Sequence, residues 1–228
     1  MIIINGVNSE VLKKILPKLL KREKVIGFYN QKNNSLWHKN LKVYKFNKIN
    51  LLKISKLIKN EKKISFLNFA AKTDQKLLIN KKDGEFEEIL KKNINNSINI
   101  LRQIIPQMIK NQYGRIIFIS SSTAESGYSG TLSYSASKAS LKGIVGTLSK
   151  EYSQFNITAN IISLGYFNSG LWNELSKNKR DQLLDKTLIK KTGDFNSIYE
   201  IINLIIKYDT INMSTIYLDG GNLNRNKI

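Results

Sequence analysis

The sequence has no cysteine, one histidine, and only 17 acidic residues against 37 lysines and arginines in 228 positions. Without cysteine, no disulfide framework and no thiolate metal site can be built. The one histidine, His38, sits in the polar run from Asn33 to Asn40, where a surface or loop role accounts for it. A histidine-based triad is thereby set aside, because the chemistry-bearing motifs lie elsewhere. No apolar run approaches the roughly 18 residues of a membrane-spanning helix. Met1 to Ile4 is too short for a signal-peptide core and lacks a basic flank. A cytoplasmic protein is the default expectation.

The shortage of acids leaves a net charge of +20. Such a balance can mark a nucleic-acid or acidic-lipid partner. Here the lysines are spread along the whole chain among many asparagines and isoleucines, as an AT-rich coding sequence would produce. A compositional cause is therefore preferred to a nucleic-acid partner, although anionic ligands are still attracted.

What the chain does have is a regular alternation of short apolar runs and helical periodicity. Strands are expected at 2–5, 25–29, 41–46, 64–68, 115–120, 157–163 and 215–218. Helices are expected at about 10–21, from about 51, at 85–110 with Pro106 near the end, at 134–155 and at 196–207, with looser helix over 170–190. Ser9 stands where a cap for the first helix belongs. Strands alternating with helices predict an α/β chain, a doubly wound sheet of about seven parallel strands with helices on both faces. No repeat or linker divides it, so one domain over 1–228 is expected. In such a sheet ligands bind beyond the carboxyl ends of the strands, which places the turn at Gly6, Asn68, Ser121, Gly165 and the start of the Tyr134 helix together.

The richest stretch runs from Ser120-Ser121-Ser122 to Tyr134-Ser135-Ala136-Ser137-Lys138. It follows the apolar run Ile116 to Ile119. Tyr134 and Lys138 are spaced i, i+4, one turn apart on one helix face. A nearby ammonium favours phenolate, so the tyrosine pKa is expected below its ordinary value of about 10. Such a tyrosine can give a proton to a carbonyl oxygen or take one from an alcohol, and a serine at the preceding strand end can hold the same oxygen.

The order Gly114-Arg115-Ile116-Ile117, Ser121, Tyr134-x-x-x-Lys138, with Asn93 upstream, Ile157 to Gly165 downstream and the closing Leu218-Asp219-Gly220-Gly221, resembles the short-chain dehydrogenase/reductase family, in its compact single-domain form with a Rossmann-type fold. The resemblance covers nearly the whole chain. It implies that Tyr134 is the general acid/base, that Lys138 lowers its pKa and binds the nicotinamide ribose, and that Ser121 hydrogen-bonds the substrate oxygen. It gives Asn93 a backbone kink and a water leading to Lys138. It further implies cofactor contacts from Gly6, Asn8 and Ser9 in the first turn, Asn30, Asn68 and Ala70, and Gly165, Phe167 and Ser169, besides Tyr134 and Lys138. No metal is implied. The expected activity is hydride transfer between NADP(H), or NAD(H), and a carbonyl or secondary alcohol, with pairing into homodimers or homotetramers through the long helix and the Tyr134 helix.

The phosphate-binding turn departs from the family pattern. Where Thr-Gly-x-x-x-Gly-x-Gly is usual, the chain has Asn5-Gly6-Val7-Asn8-Ser9-Glu10-Val11-Leu12. Glu10 stands at the helix start, where the dipole favours an anion and a carboxylate repels phosphate. A catalytically silent sensor or scaffold that has lost cofactor is thus the competing reading. The second fingerprint reads Asn68-Phe69-Ala70-Ala71, the Pro-Gly turn reads Leu164-Gly165, and Ser169 replaces a threonine. After strand two the chain has Asn30 and Lys32 with no nearby acid, which favours the 2′-phosphate of NADP(H). Specificity is expected from Tyr166, Phe167, Asn168, Leu171, Trp172 and Leu175, with Glu125 and Tyr128 adding polar contacts. Reductases acting on acyl carrier protein also resemble the chain, but Gln112 and Phe155 occupy the places of their docking arginines, and a keto-sugar is an equal alternative.

Overall fold

A computed structural model describes residues 1–30 and 38–222, without the side chain of Leu171. Lys32 therefore lies outside the described residues. The elements run β1 (Ile2–Asn5), α1 (Glu10–Leu20), β2 (Val25–Tyr29), β3 (Leu41–Lys45), α2 (Lys48–Leu57) and β4 (Ser65–Asn68). Then come α3 (Glu85–Leu90), a π-helical turn (Lys91–Asn95), α4 (Asn96–Lys110), β5 (Gly114–Ser121), α5 (Thr123–Ser126), α6 (Leu132–Ala139) and α7 (Leu141–Tyr152). The chain continues through β6 (Ile157–Leu164), α8 (Leu171–Glu174), α9 (Lys177–Leu184), α10 (Phe195–Lys207) and β7 (Thr215–Leu218). The expected strands are all present. The expected long helix is broken by the π turn, and the Tyr134 helix is broken at Ser140.

The seven strands form one parallel sheet in the order β3-β2-β1-β4-β5-β6-β7. The chain reverses direction across the sheet between β1 and β4, which makes that junction the switch point where ligands settle. Alternation within each strand sorts side chains onto two faces. Ile2, Ile4, Ile117 and Ile119 pack with residues of α1 and α10. Ile3, Phe28, Ile116 and Phe118 pack with residues of α2, α4 and α7 on the other side. At the centre of the sheet both faces are buried, so Ile2–Ile4 and Ile116–Ile119 read as unbroken apolar runs rather than alternating ones.

At the switch point Asn5 and Asn68 are register partners, and the Asn5 amide donates to Asn68 Oδ1 at 2.9 Å. Beyond it the first turn folds back: the N–H groups of Gly6 and Val7 both donate to Phe28 O. Ser9 caps α1 as expected, its hydroxyl accepting from Leu12 N. The turn demands glycine at Gly6. Its φ is +87°, and a Cβ there would lie 2.5 Å from Ala70 N. Gly6→Ala combines left-handed strain of about 1–2 kcal/mol with overpacking of about 1–3 kcal/mol. A loss of about 2–5 kcal/mol is expected, read as a fall in Tm of roughly 5–20 °C; a melt indistinguishable from wild type would contradict this account of the turn.

Candidate active site

The strand ends open onto a cleft of about 1170 Å³. It is lined by the Gly6–Ser9 turn, the segment after β4, Ser121, Tyr134 and the segment after β6. Strand β5 carries Ser121 to the rim. There its hydroxyl oxygen accepts from Thr123 Oγ1 at 3.1 Å and from Thr123 N at 3.3 Å. Helix α6 brings the Tyr134 hydroxyl into hydrogen bonding with the Ser121 side chain.

Lys138 follows one turn later, 3% exposed. Its Nζ is 5.7 Å from the centre of the Tyr134 ring and donates to Ile119 O at 2.7 Å. Burial drives this ammonium down to about 8. The expected depression of the Tyr134 pKa needs correction. Burial pushes the phenol above its ordinary value, and the bond to Ser121 opposes that only in part. Removing water from a phenolate outweighs the hydrogen bond with Ser121, and Lys138 spends its own bond on a backbone carbonyl.

Asn93 sits in the π turn and is 1% exposed. Its Oδ1 accepts from Lys72 N at 2.7 Å. Its amide nitrogen donates to Lys72 O and to Ser137 Oγ, both at 2.9 Å. Asn93 therefore joins the segment after β4 to the residue preceding Lys138. The expected kink at this asparagine is present as the π turn.

The residues expected to hold a dinucleotide divide into two groups. Gly6, Asn8, Ser9, Asn30, Ala70, Gly165, Phe167 and Ser169 all line the cleft. Asn68 does not: it is fully buried and its side chain is turned to Asn5. Asn30 is engaged as well, its Oδ1 accepting from the Asn96 amide at 3.1 Å. At Gly165 a Cβ would stand 2.6 Å from Asp219 Cα, so this turn is pressed against the end of β7. The rings of Tyr166 and Trp172, which also line the cleft, meet at a tilt with their centres 5.1 Å apart.

Glu10 is exposed, and its carboxylate accepts from Gly170 N at 2.5 Å. The charge that sequence reasoning placed against a phosphate is thus directed to the segment after β6. Room, position at the switch point and the backbone turn before α1 fit a dinucleotide; the carboxylate at the helix start narrows that fit. Sequence reasoning missed the Glu10–Gly170 bond and the Asn30–Asn96 bond, both of which join residues far apart in the chain. No group of three or more histidine, cysteine or acidic residues able to hold a metal occurs among the described residues. None of the described helices is long and apolar enough to cross a membrane.

A family model described as short chain dehydrogenase matches residues 38–180. The 3-oxoacyl-(acyl-carrier-protein) reductase FabG of Buchnera aphidicola subsp. Baizongia pistaciae is 34% identical over 157 residues, 68% of this chain and 64% of that relative. The match thus spans about 64% of that relative's length. The FabG of Buchnera aphidicola subsp. Acyrthosiphon pisum is 29% identical over 231 residues, covering 96% of this chain and 95% of its own. Among solved structures, ElxO with NADP bound superposes with a TM-score of 0.85 at 19% identity, covering 97% of this chain and 98% of that one. A short chain dehydrogenase/reductase family protein gives 0.79 at 17%, covering 98% and 97%. At these identities the two structures speak to the fold.

The depressed Lys138 pKa has a measurable consequence. Between about 8 and the ordinary lysine value of 10.5 the folded protein holds fewer protons at this site than the unfolded chain. Its contribution to stability therefore rises with pH across that window. Tyr134, raised from 10, acts in the opposite sense above that pH. Urea titrations from about pH 8 to 10 are expected to show a steeper gain for wild type than for Lys138→Met, and equal slopes would contradict burial as the cause.

Proposed function

Because the chain belongs to the short-chain dehydrogenase/reductase family, we propose that it is an NADP(H)-dependent reductase of a carbonyl substrate, with a 3-oxoacyl thioester as the substrate class. The observation that carries this reading is the meeting of Ser121, Tyr134, Lys138 and Asn93 at one end of the cleft. The names of the FabG relatives support the acyl thioester over a keto-sugar. The bound NADP of ElxO and the absence of an acid after Asn30 in the sequence support NADP(H) over NAD(H).

In this reading Ser121 orients the carbonyl oxygen and Tyr134 hands it a proton as the carbonyl carbon receives a hydride. Bound nicotinamide supplies that hydride. A phenol raised by burial stays protonated at neutral pH, which suits a proton donor in the reductive direction. Lys138, held to Ile119 O, fixes the spacing of α6 from β5 and would offer its ammonium to a nicotinamide ribose. Asn93 keeps the π turn and α6 in register, and is proposed to position the water that reaches Lys138. One domain over the whole chain, and assembly of several copies through α4 and α7, are part of the same proposal.

NADPH oxidation with acetoacetyl-coenzyme A, followed at 340 nm, tests the reading. Tyr134→Phe is expected to lower kcat by about 10²–10⁴ while the circular dichroism spectrum is retained. Turnover that survives in this variant would remove Tyr134 from the chemistry.

The Glu10–Gly170 bond favours a second reading, a family member with weakened cofactor binding. Calorimetric titration separates the two. Saturable NADPH binding that tightens in Glu10→Gln supports the reductase, whereas no binding of NADPH or NADH at millimolar concentration favours the silent form.

A further inference from the structure

Asp74 lies in the segment between β4 and α3, and no sequence motif marks it. Its carboxylate accepts from the backbone N–H groups of Ser133 at 3.4 Å and Tyr134 at 3.3 Å. These are first-turn donors of α6, which no carbonyl of the helix can satisfy. The residue at the local cap position, Thr131, makes no capping bond; its hydroxyl is turned to Tyr128 O and Ser135 Oγ. Asp74 thus supplies from a distant segment what a capping side chain supplies locally.

Lys81 forms an ion pair with Asp74, and the two side chains are only 6% and 9% exposed respectively. Burial alone would raise the Asp74 carboxyl, but Lys81 and the hydrogen bonds from α6 outweigh it and hold the group below its ordinary value. The carboxylate is therefore the form present at neutral pH. Its neighbours are pinned at alternate positions. Lys72 is gripped through both backbone groups by Asn93, and Lys76 N donates to Gly130 O at 3.0 Å. One short segment is stitched at three points to the elements that carry Asn93 and Tyr134.

We infer that Asp74, with Lys81 as its counter-ion, is the positioning residue for Tyr134: it holds the first turn of α6 by the backbone of Tyr134 itself, and so sets the phenol against Ser121. This rests on the reading of Tyr134 as proton donor. Asp74 touches no reacting atom, so its removal acts on geometry. A displacement of about 1 Å at a reacting group can cost about 100-fold in rate.

The test compares Asp74→Ala and Asp74→Asn in NADPH-dependent reduction of acetoacetyl-coenzyme A, with hydrogen exchange of the Tyr134 backbone amide read by NMR. In Asp74→Ala, kcat is expected to fall about 10- to 100-fold, the Kd for NADPH to stay within about twofold of wild type, and the Tyr134 amide to lose protection. Asp74→Asn keeps an acceptor and is expected to lie between, with kcat reduced about 3- to 10-fold and protection partly kept. Wild-type kcat and wild-type protection in Asp74→Ala overturn the inference, as does a fall in kcat matched by an equal loss of NADPH affinity. If Asp74→Ala fails to fold, Asp74→Asn decides by the same two readouts. A wild-type protein that binds NADPH but reduces no acyl thioester counts against the substrate reading alone, since the amide readout still reports the placement of Tyr134.

Discussion

The carboxamide of Asn93 is the point from which the rest of the site hangs. A buried amide must find partners for its oxygen and its nitrogen, and this one finds three: both backbone groups of Lys72 and the hydroxyl of Ser137. To reach them the helix between α3 and α4 opens into a π turn at Lys91–Asn95. That distortion of the ladder is compensated by the bonds the side chain makes. The result is a rigid bridge from the segment after β4, through the long helix, to the turn of α6 just before Lys138. The sheet supplies the strand ends, but this bridge sets the distance between the two walls of the cleft.

Charge is then set by the balance of burial against hydrogen bonding and pairing at each group. Lys138 faces a carbonyl oxygen and titrates near 8. Asp74 faces Lys81 and two N–H groups and stays ionised. Tyr134 shares its hydroxyl with Ser121 and is raised. Each buried group keeps the form its hydrogen-bond partners can satisfy. The i, i+4 spacing of Tyr134 and Lys138 suggests the opposite direction for the phenol, because spacing along a helix reports proximity and is silent on desolvation.

The same distinction separates what could be read in the sequence from what could not. Ile2 to Ile4 and Ile116 to Ile119 declare themselves as strands because two cores demand apolar residues on both faces. Ser9, Ser121, Tyr134 and Lys138 are legible because their spacing is local. Asn93 is legible only through its register with the family pattern. Asn68 was expected in the cleft, yet it turns inward, where its Oδ1 accepts from the Asn5 amide across neighbouring strands. Asp74 escapes altogether: the two α6 donors that it serves lie about sixty residues away, and nothing in its neighbourhood announces them.

Glu10 joins these observations to the half of the cleft beside α1. A carboxylate in the first turn of a helix is stabilised by the dipole, and that same position is where a pyrophosphate gains most. Two anions cannot both take full advantage of it. Here the carboxylate is bonded to the Gly170 N–H, so its charge is tied to the segment after β6, the segment that carries Ser169 and Trp172 into the cleft. A phosphate arriving beside α1 must either tolerate that carboxylate or loosen its hold on Gly170. In the proposed reductase, cofactor affinity and the placement of the segment after β6 therefore share a single electrostatic balance at the start of α1.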